Sequence, residues 1–147
     1  MRLFFIFLLV LFLQAPVYAE YVLPYPSYMP GHKLYKVSRI LDDLKQYWYW
    51  GTIAQSKYHQ GLSDKYLIEA KTLFEYKQYP LALDALRRSD QYFQKNTPDA
   101  AREAHTRALT LLNAQLPESF VWQDERRPPI ALDLLGALNR SIAIRNE

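Results

Sequence analysis

The stretch of sequence that decides the fold runs from Tyr21 to Phe93 and reads YVLPYPSYMP GHKLYKVSRI LDDLKQYWYW GTIAQSKYHQ GLSDKYLIEA KTLFEYKQYP LALDALRRSD QYF. It opens with a lead-in, residues 20–32, that is rich in proline and aromatic residues. Proline fixes the backbone and lacks an N–H donor, so Pro24, Pro26 and Pro30 disfavour both helix and central strand. We expect the lead-in to be extended and to lie in a groove of the helices that follow.

After the lead-in, the apolar residues recur with the spacing of α-helices. In the first predicted helix an apolar stripe repeats at intervals of three and four residues and consists of Leu34, Val37, Leu41, Leu44 and Trp48. Such a stripe is typical of the buried face of a packed helix. Leu41→Ala is therefore expected to cost about 2–5 kcal/mol of stability, as is Leu73→Ala in the second helix. Gly51 is a favourable residue for ending the first helix.

Three further helices are predicted before residue 115. Thr52 and Gln55 have the spacing of a capping box, and a second helix is predicted over residues 53–76, with apolar residues on two sides. A third helix is predicted from Pro80. A fourth follows Thr97-Pro98-Asp99, in which all three residue types favour a helix start. Together these helices form a predicted bundle domain, residues 33–114.

The C-terminal part, residues 115–147, is predicted to be a linker and an amphipathic helix. Prolines set off Phe120-Val121-Trp122, and apolar spacing predicts the last helix over residues 130–145. This helix could cap the bundle or, with Arg140 and Arg145 beside its apolar face, lie on a membrane. No window shows sustained two-residue alternation. The predicted fold class is therefore all-α: an antiparallel helical hairpin or small bundle, with three long helices and one or two C-terminal ones.

The first nineteen residues have the layout of a secretory signal peptide. Arg2 is followed by an unbroken apolar run from Leu3 to Leu13, and Val17-Tyr18-Ala19 supplies small residues for a cleavage site. The apolar run is shorter than the roughly 20 residues that cross a bilayer as a helix. We therefore predict an exported protein cleaved after Ala19, with an uncleaved membrane anchor as the alternative.

The composition excludes several classes of site. The 147 residues include no cysteine, so disulfides, thiolate catalysis and cysteine-ligated metals are excluded. Eighteen basic and fifteen acidic residues give a net charge of +3. These charges are interspersed rather than clustered on a basic stretch, so no nucleic-acid partner is predicted.

The sequence from Val22 to Lys45, with Leu34-Tyr35-Lys36 and Asp42-Asp43 within it, resembles the opening motif of an uncharacterised exported family, domain of unknown function 5667. The stretch from Asp64 to Ala70 is similar to a second part of that family, and the resemblance extends over about residues 22–93. It implies a helical hairpin outside the cytoplasmic membrane and contributes no catalytic residue. Residues 70–89 also have spacings like one tetratricopeptide unit, which we interpret as a generic helical hairpin because a solenoid needs about three units.

The titratable residues show no catalytic or metal-binding pattern. His32, His59 and His105 lie on separate segments, and no pair has the i, i+4 spacing of a helical metal site. We interpret them as solvated or cap-contacting residues and predict no metal, cofactor or catalytic set. A carboxylate pair for glycan hydrolysis could still be assembled by the fold from Glu69 with Asp84 or Asp64.

Aromatic density is the most unusual feature. The run Tyr47-Trp48-Tyr49-Trp50 covers every side of a helical turn, so some of its rings must face outward unless another segment covers them. The rings could be core packing, a belt at the lipid headgroup level, or a stacking platform for envelope sugars or peptides. The candidate binding surface consists of Tyr25, Tyr28, Tyr47, Tyr49 and Trp50.

These observations together predict a non-enzymatic, extracytoplasmic helical module that binds or scaffolds in the cell envelope. Its predicted partner is an envelope protein, a glycan or a membrane surface, and the oligomeric state is left open. One alternative is an envelope glycan hydrolase that uses the carboxylates above. Another is a membrane-anchored sensory or regulatory ectodomain, which requires that residues 1–19 be retained.

Overall fold

The computed structural model of the chain describes residues 21–26, 28–124 and 127–147. The predicted signal peptide, residues 1–19, therefore lies outside the described residues. The fold is mostly helical, with a small two-stranded antiparallel sheet. The elements in chain order are α1 (Tyr35–Lys45), α2 (Thr52–Glu75), α3 (Tyr79–Tyr92), α4 (Asp99–Gln115), β1 (Ser119–Asp124), β2 (Arg127–Asp133) and α5 (Leu134–Asn146).

The hydrophobic core lies among α2, α3, α4 and α5. Its fully or nearly fully buried members are Leu67, Ala70, Leu73, Phe74, Tyr79, Ala82, Ala85, Leu86, Leu109, Leu112, Leu134 and Leu138. The long central helix α2 begins and ends one residue earlier than predicted, at Thr52 and Glu75. It contributes residues to the core through its C-terminal half, because α3 packs against it there.

The described part of the lead-in has no regular secondary structure, and a turn begins at Pro30. Residues 21–26 form neither helix nor strand, and the partly buried Leu23 and Met29 pack against the core. The hydroxyl of Tyr21 donates a hydrogen bond to Asp64 on α2 and accepts one from Gln60 Nε2 at 2.9 Å. The lead-in is thus joined to α2 by polar as well as apolar contacts.

The first helix is shorter than its apolar stripe suggests. It ends at Lys45, and residues 46–51 form the turn that leads into α2. Gly51 has a φ of 91°, a backbone region that favours glycine. The predicted capping box at Thr52 is wrong, because Thr52 is already the first helical residue and no side chain caps the helix.

The prediction that the apolar stripe of α1 is buried is also wrong. α1 faces the rest of the protein with polar residues: Asp42 is buried, and Tyr35 and Ser38 are partly buried. Lys65 pairs with the Asp42 carboxylate, and the Tyr58 hydroxyl donates to the Asp42 carbonyl at 2.6 Å. The apolar residues of α1 are on the opposite side, in contact with solvent.

The β1–β2 hairpin is a correction to the all-α prediction. Phe120 lies opposite Leu132 and Trp122 opposite Ile130, with an irregularity between Trp122 and Asp124. The prolines in β2 are tolerated because each strand of a two-stranded sheet is an edge strand. The ring of Phe120 contacts Tyr79 with centroids 4.7 Å apart, and this contact joins the hairpin to the core.

Residues 130–133 belong to β2, so the last helix begins at Leu134 and not at Ile130 as predicted. Asp133 caps α5 by accepting a hydrogen bond from the Gly136 N–H at 2.8 Å. A side chain at position 136 would collide with this cap, since a Cβ there would lie 1.9 Å from the Asp133 carboxylate. The capped helix then packs on α4 and α3.

Candidate functional site

The clearest candidate site is an aromatic cleft where the turn after α1 meets the beginning of α2. The cleft has a volume of about 580 Å³ and is lined by Gln46, Tyr47, Tyr49, Trp50, Gly51, Gln55, Tyr58 and His59. Tyr49 stacks on Tyr58 with ring centroids 4.5 Å apart and an interplanar angle of 15°. The indole of Trp50 donates a hydrogen bond to the Tyr47 carbonyl at 3.1 Å. The turn therefore makes one hydrogen bond within itself and one ring contact with α2.

One wall of the cleft is tied to the helices behind it. The Tyr58 hydroxyl is bound to α1 through Asp42, and burial raises the pKa of Tyr58 to about 12. His59 Nδ1 lies 2.8 Å from the amide nitrogen of Gln94, which is the donor in this contact, since only the ring nitrogen can accept. Ser56 donates to the oxygen of the same Gln94 amide at 2.8 Å. This wall is thus supported by α2 and by the segment after α3.

Among the described residues that line the cleft, none is Asp, Glu, Lys or Arg. The described lining residues with polar side-chain groups are two glutamines, three tyrosines, a tryptophan and a histidine. Aromatic rings with a few neutral hydrogen-bonding groups are typical of sites for neutral ligands. The cleft therefore has no assembled acid–base pair and is suited to binding by stacking.

The structure brings together only part of the predicted binding surface. Tyr47 and Trp50 are 74% and 82% exposed, and with Tyr49 they line the cleft. Tyr25 and Tyr28 are exposed on the lead-in and do not line it. Tyr28 instead stacks on His32 and borders a separate groove of about 260 Å³ beside α1.

Sequence reasoning missed four lining residues, Gln46, Gln55, Tyr58 and His59. Tyr58 continues the apolar spacing of one side of the second helix, and that spacing predicts packing and not a place in a cleft. The available signal was the predicted helix end at Gly51 directly before the predicted helix start at Thr52, because adjacent end and start residues place the first turns of one helix near the residues that precede it. That signal gives proximity but does not identify which side chains meet.

The three carboxylates of the hydrolase alternative are held by different partners. Asp64 is bound by Tyr21 and lies 2.6 Å from His105 Nε2. Glu69 accepts a hydrogen bond from the Tyr35 hydroxyl at 2.6 Å, and burial raises the pKa of Glu69.

Asp84 on α3 forms ion pairs with Arg87 and Arg88. Arg88 also donates to the Tyr35 hydroxyl at 3.2 Å, so a chain of polar contacts runs from α3 to α1. Each of the three carboxylates thus already has protein partners that satisfy it. Asp64 and Glu69 belong to α2 and Asp84 to α3.

His105 is fully buried and not solvated, contrary to its sequence interpretation. Arg145 Nε donates to His105 Nδ1 at 3.1 Å, so the ring proton lies on Nε2 and points to Asp64. Arg145 is also fully buried and lies 2.6 Å from Asp90. This polar cluster (Asp64, Asp90, His105, Arg145) links α2, α3, α4 and α5 inside the core.

Comparison of the chain with protein-family models, with curated proteins and with solved structures found no match. The resemblance to domain of unknown function 5667 therefore stays a prediction. Within residues 21–26, 28–124 and 127–147, no group of three or more His, Asp or Glu residues is placed to hold a metal ion. In the same ranges, no helix combines the length and apolar character needed to cross a membrane.

Proposed function

We propose that this protein is an extracytoplasmic helical module of the cell envelope that binds or scaffolds and does not catalyse a reaction. The observation that carries the proposal is the aromatic cleft, in which Tyr47 and Trp50 are largely exposed. The export signal in the sequence and the resemblance to an exported family support the location. The proposed arrangement is a small bundle with α2 and α3 as an antiparallel hairpin.

The ligand that fits the cleft best is a neutral segment of envelope glycan. The faces of sugar rings are apolar and stack on aromatic rings, while their hydroxyls pair with amide and imidazole groups. Tyr47, Tyr49 and Trp50 supply the rings, and Gln46 and Gln55 supply amides at the edge of the cleft. An acidic or basic ligand would find no opposite charge among the lining residues.

The test is calorimetric titration of the protein with soluble oligosaccharides released from cell-wall glycan. Trp50→Ala and Tyr47→Ala are each expected to weaken binding about five- to thirtyfold, because each removes a stacking surface worth about 1–2 kcal/mol. The matched control is Tyr76→Ala. Tyr76 is 73% exposed but lies at the other end of α2, so its removal is expected to leave binding unchanged. Equal affinities of all three variants, or no glycan binding by the native protein, would refute the proposal.

The hydrolase alternative is tested with the same glycans by following the release of reducing ends. Steady release that is lost in Glu69→Gln or Asp64→Asn would replace the binding module with an enzyme. The anchored-ectodomain alternative depends on the N-terminus. Intact mass of the protein recovered from the envelope decides it, because retention of residues 1–19 indicates an anchor.

A further inference from the structure

Helix α1 is oriented with its apolar side outward. The exposed fractions of Leu34, Val37, Ile40, Leu41 and Leu44 are 47%, 50%, 60%, 46% and 53%. At 100° per residue these side chains span about 120° of the helix circumference, directly opposite Tyr35 and Asp42. A surface helix of a globular protein normally buries such a side. The polar contacts of Asp42 and Tyr35 hold α1 in the reverse orientation.

The exposed apolar side chains are concentrated around this helix. Of the twenty large apolar or aromatic side chains exposed in the described part of the chain, thirteen lie between Val22 and Ile53. Trp48, at 79% exposed, lies in the turn that follows α1, three residues after its last residue, and is not among the described residues lining the aromatic cleft. An exposed apolar patch of this kind marks an interaction surface.

The charges around the patch indicate what it contacts. Lys36 and Lys45 lie at the two edges of the patch, and Lys33 lies at its N-terminal end. All three lysines are exposed, and Asp43 is the one exposed acidic residue of α1. The other acidic residue of α1, Asp42, is turned inward and paired with Lys65. An apolar side flanked by lysines is the pattern of a helix that lies at the surface of an anionic membrane, with lysine stems along the apolar region and ammonium groups at the phosphates.

A second copy of the chain fits this surface less well. The 3, 4 spacing from Leu34 to Trp48 covers two heptads, whereas a coiled coil needs three or four. In a paired helix, the positions beside the apolar stripe would include Lys33 and Lys45, and no acidic residue occupies the other flanking positions. Pairing two copies would therefore bring like charges together. Ile40 also widens the patch beyond a narrow seam, and a wide apolar side suits a flat apolar boundary.

We propose that α1 docks this protein on the surface of an anionic lipid bilayer, with the apolar side from Leu34 to Trp48 in the headgroup–acyl boundary. The helix has eleven residues and is about 16 Å long, so it lies in the plane of a hydrocarbon layer roughly 30 Å thick. This docking surface is distinct from the aromatic cleft. It adds an attachment to the envelope membrane that does not depend on the glycan proposal.

The test uses the full chain with Trp48 as its sole tryptophan, made by Trp50→Phe and Trp122→Phe. Vesicles of phosphatidylcholine with phosphatidylglycerol are prepared with brominated acyl chains, which quench only a tryptophan that enters the bilayer. We expect strong quenching of Trp48, a blue shift of its emission, and loss of both effects at high salt. Vesicles of phosphatidylcholine alone are expected to give at least tenfold weaker binding, since the lysine attraction is absent.

Two changes on the patch provide the decisive comparison. Val37→Glu with Leu41→Glu is expected to abolish quenching of Trp48, and Leu44→Gln alone to weaken it several-fold. Leu111→Glu is the matched control, because Leu111 is 57% exposed on α4, outside the patch, and its change should leave quenching intact. Circular dichroism verifies that each variant is folded, as expected for substitutions at half-exposed positions.

The readout at Trp48 reports on the turn directly after α1, and its dependence on Val37 and Leu41 reports on α1, even if the apolar run from Leu3 to Leu13 also binds vesicles. Protein that pellets with vesicles while Trp48 remains unquenched would overturn the proposal. So would a dimer in lipid-free buffer that Val37→Glu dissociates, since the patch would then be an interface between copies. Glycan binding is measured without lipid, so its outcome does not affect this one.

Discussion

Replacing Arg145 by methionine is the most informative test of the core. The Arg145 guanidinium is fully buried and donates to Asp90 at 2.6 Å, to Ser89 Oγ at 2.8 Å and to His105 at 3.1 Å. Burial lowers its pKa, and the hydrogen bond and attraction of Asp90 oppose that shift. Methionine fills similar volume but leaves Asp90 with Ser141 as its remaining side-chain donor and leaves His105 without its donor.

The expected loss of unfolding free energy in Arg145→Met is about 3–5 kcal/mol, since breaking a buried ion pair leaves one charge uncompensated. Most of this loss comes from Asp90, so adding Asp90→Asn should recover part of it. In the double-mutant cycle we expect a coupling energy of about 1–3 kcal/mol. The measurement is urea unfolding followed by circular dichroism, with equal slopes for all variants.

Arg140→Met is the matched control for this cycle. Arg140 is on the same helix but is exposed, so its replacement should change stability by less than about 0.5 kcal/mol. A loss below about 1 kcal/mol for Arg145→Met, or zero coupling to Asp90, would refute the view that this cluster fixes α5 to the rest of the protein.

Three other predictions follow from burial and hydrogen bonding. Leu73→Ala should lower the free energy of unfolding by about 2–5 kcal/mol in the same urea assay, because Leu73 is only 3% exposed. Leu41→Ala should lower it by less than about 1 kcal/mol, because Leu41 is 46% exposed. Equal losses would mean that α1 packs through its apolar side. Burial raises the pKa of Glu69 in the folded protein above its ordinary value of 4.5. The stability that the protonated carboxyl contributes is therefore fully present below pH 4.5, and it is lost as the pH rises through the folded-state pKa. Glu69→Gln should therefore gain stability relative to the native protein as the pH rises above 4.5, and a difference that stays constant with pH would contradict the assignment. Tyr21→Phe removes the hydroxyl that contacts Asp64, so limited proteolysis should cleave the lead-in several-fold faster, with Tyr25→Phe as the control of unchanged rate.

Much of the fold was predictable because helix patterns are local. The breaks at Gly51, at Pro80 and at Thr97-Pro98 each lie at or within two residues of an observed helix start. The hairpin was not predictable in the same way. Apolar and polar residues alternate only weakly in its two strands, and β2 contains two consecutive prolines. Neither strand therefore has a local sequence pattern that predicts a β-strand. The pairing of Phe120 with Leu132 forms only when both strands are present.

The candidate site, too, was predictable only where the pattern is local in the sequence. The aromatic run of residues 47–50 was visible in the sequence, and its geometry requires that some rings be exposed. Tyr58 and His59 could not be added to it, because their membership depends on how the turn at Gly51 folds back along α2. Tyr25 and Tyr28 were grouped with the run only by residue type, and the fold separates them from the cleft.

The sequence by itself determined the helical character, the helix breaks and the aromatic run, since these depend on spacing and on backbone chemistry within a few residues. Only the tertiary structure decided which side of each helix is buried. An amphipathic pattern shows that a helix has two unlike sides, but the partner decides the orientation. Lys65, Tyr58 and Glu69 hold the polar side of α1 inward, and Asp90 draws Arg145 into the core. For α1 and for Arg145, polar contacts with residues distant in the sequence determine which side of the helix faces inward. A buried charge can take this place because its partners satisfy it.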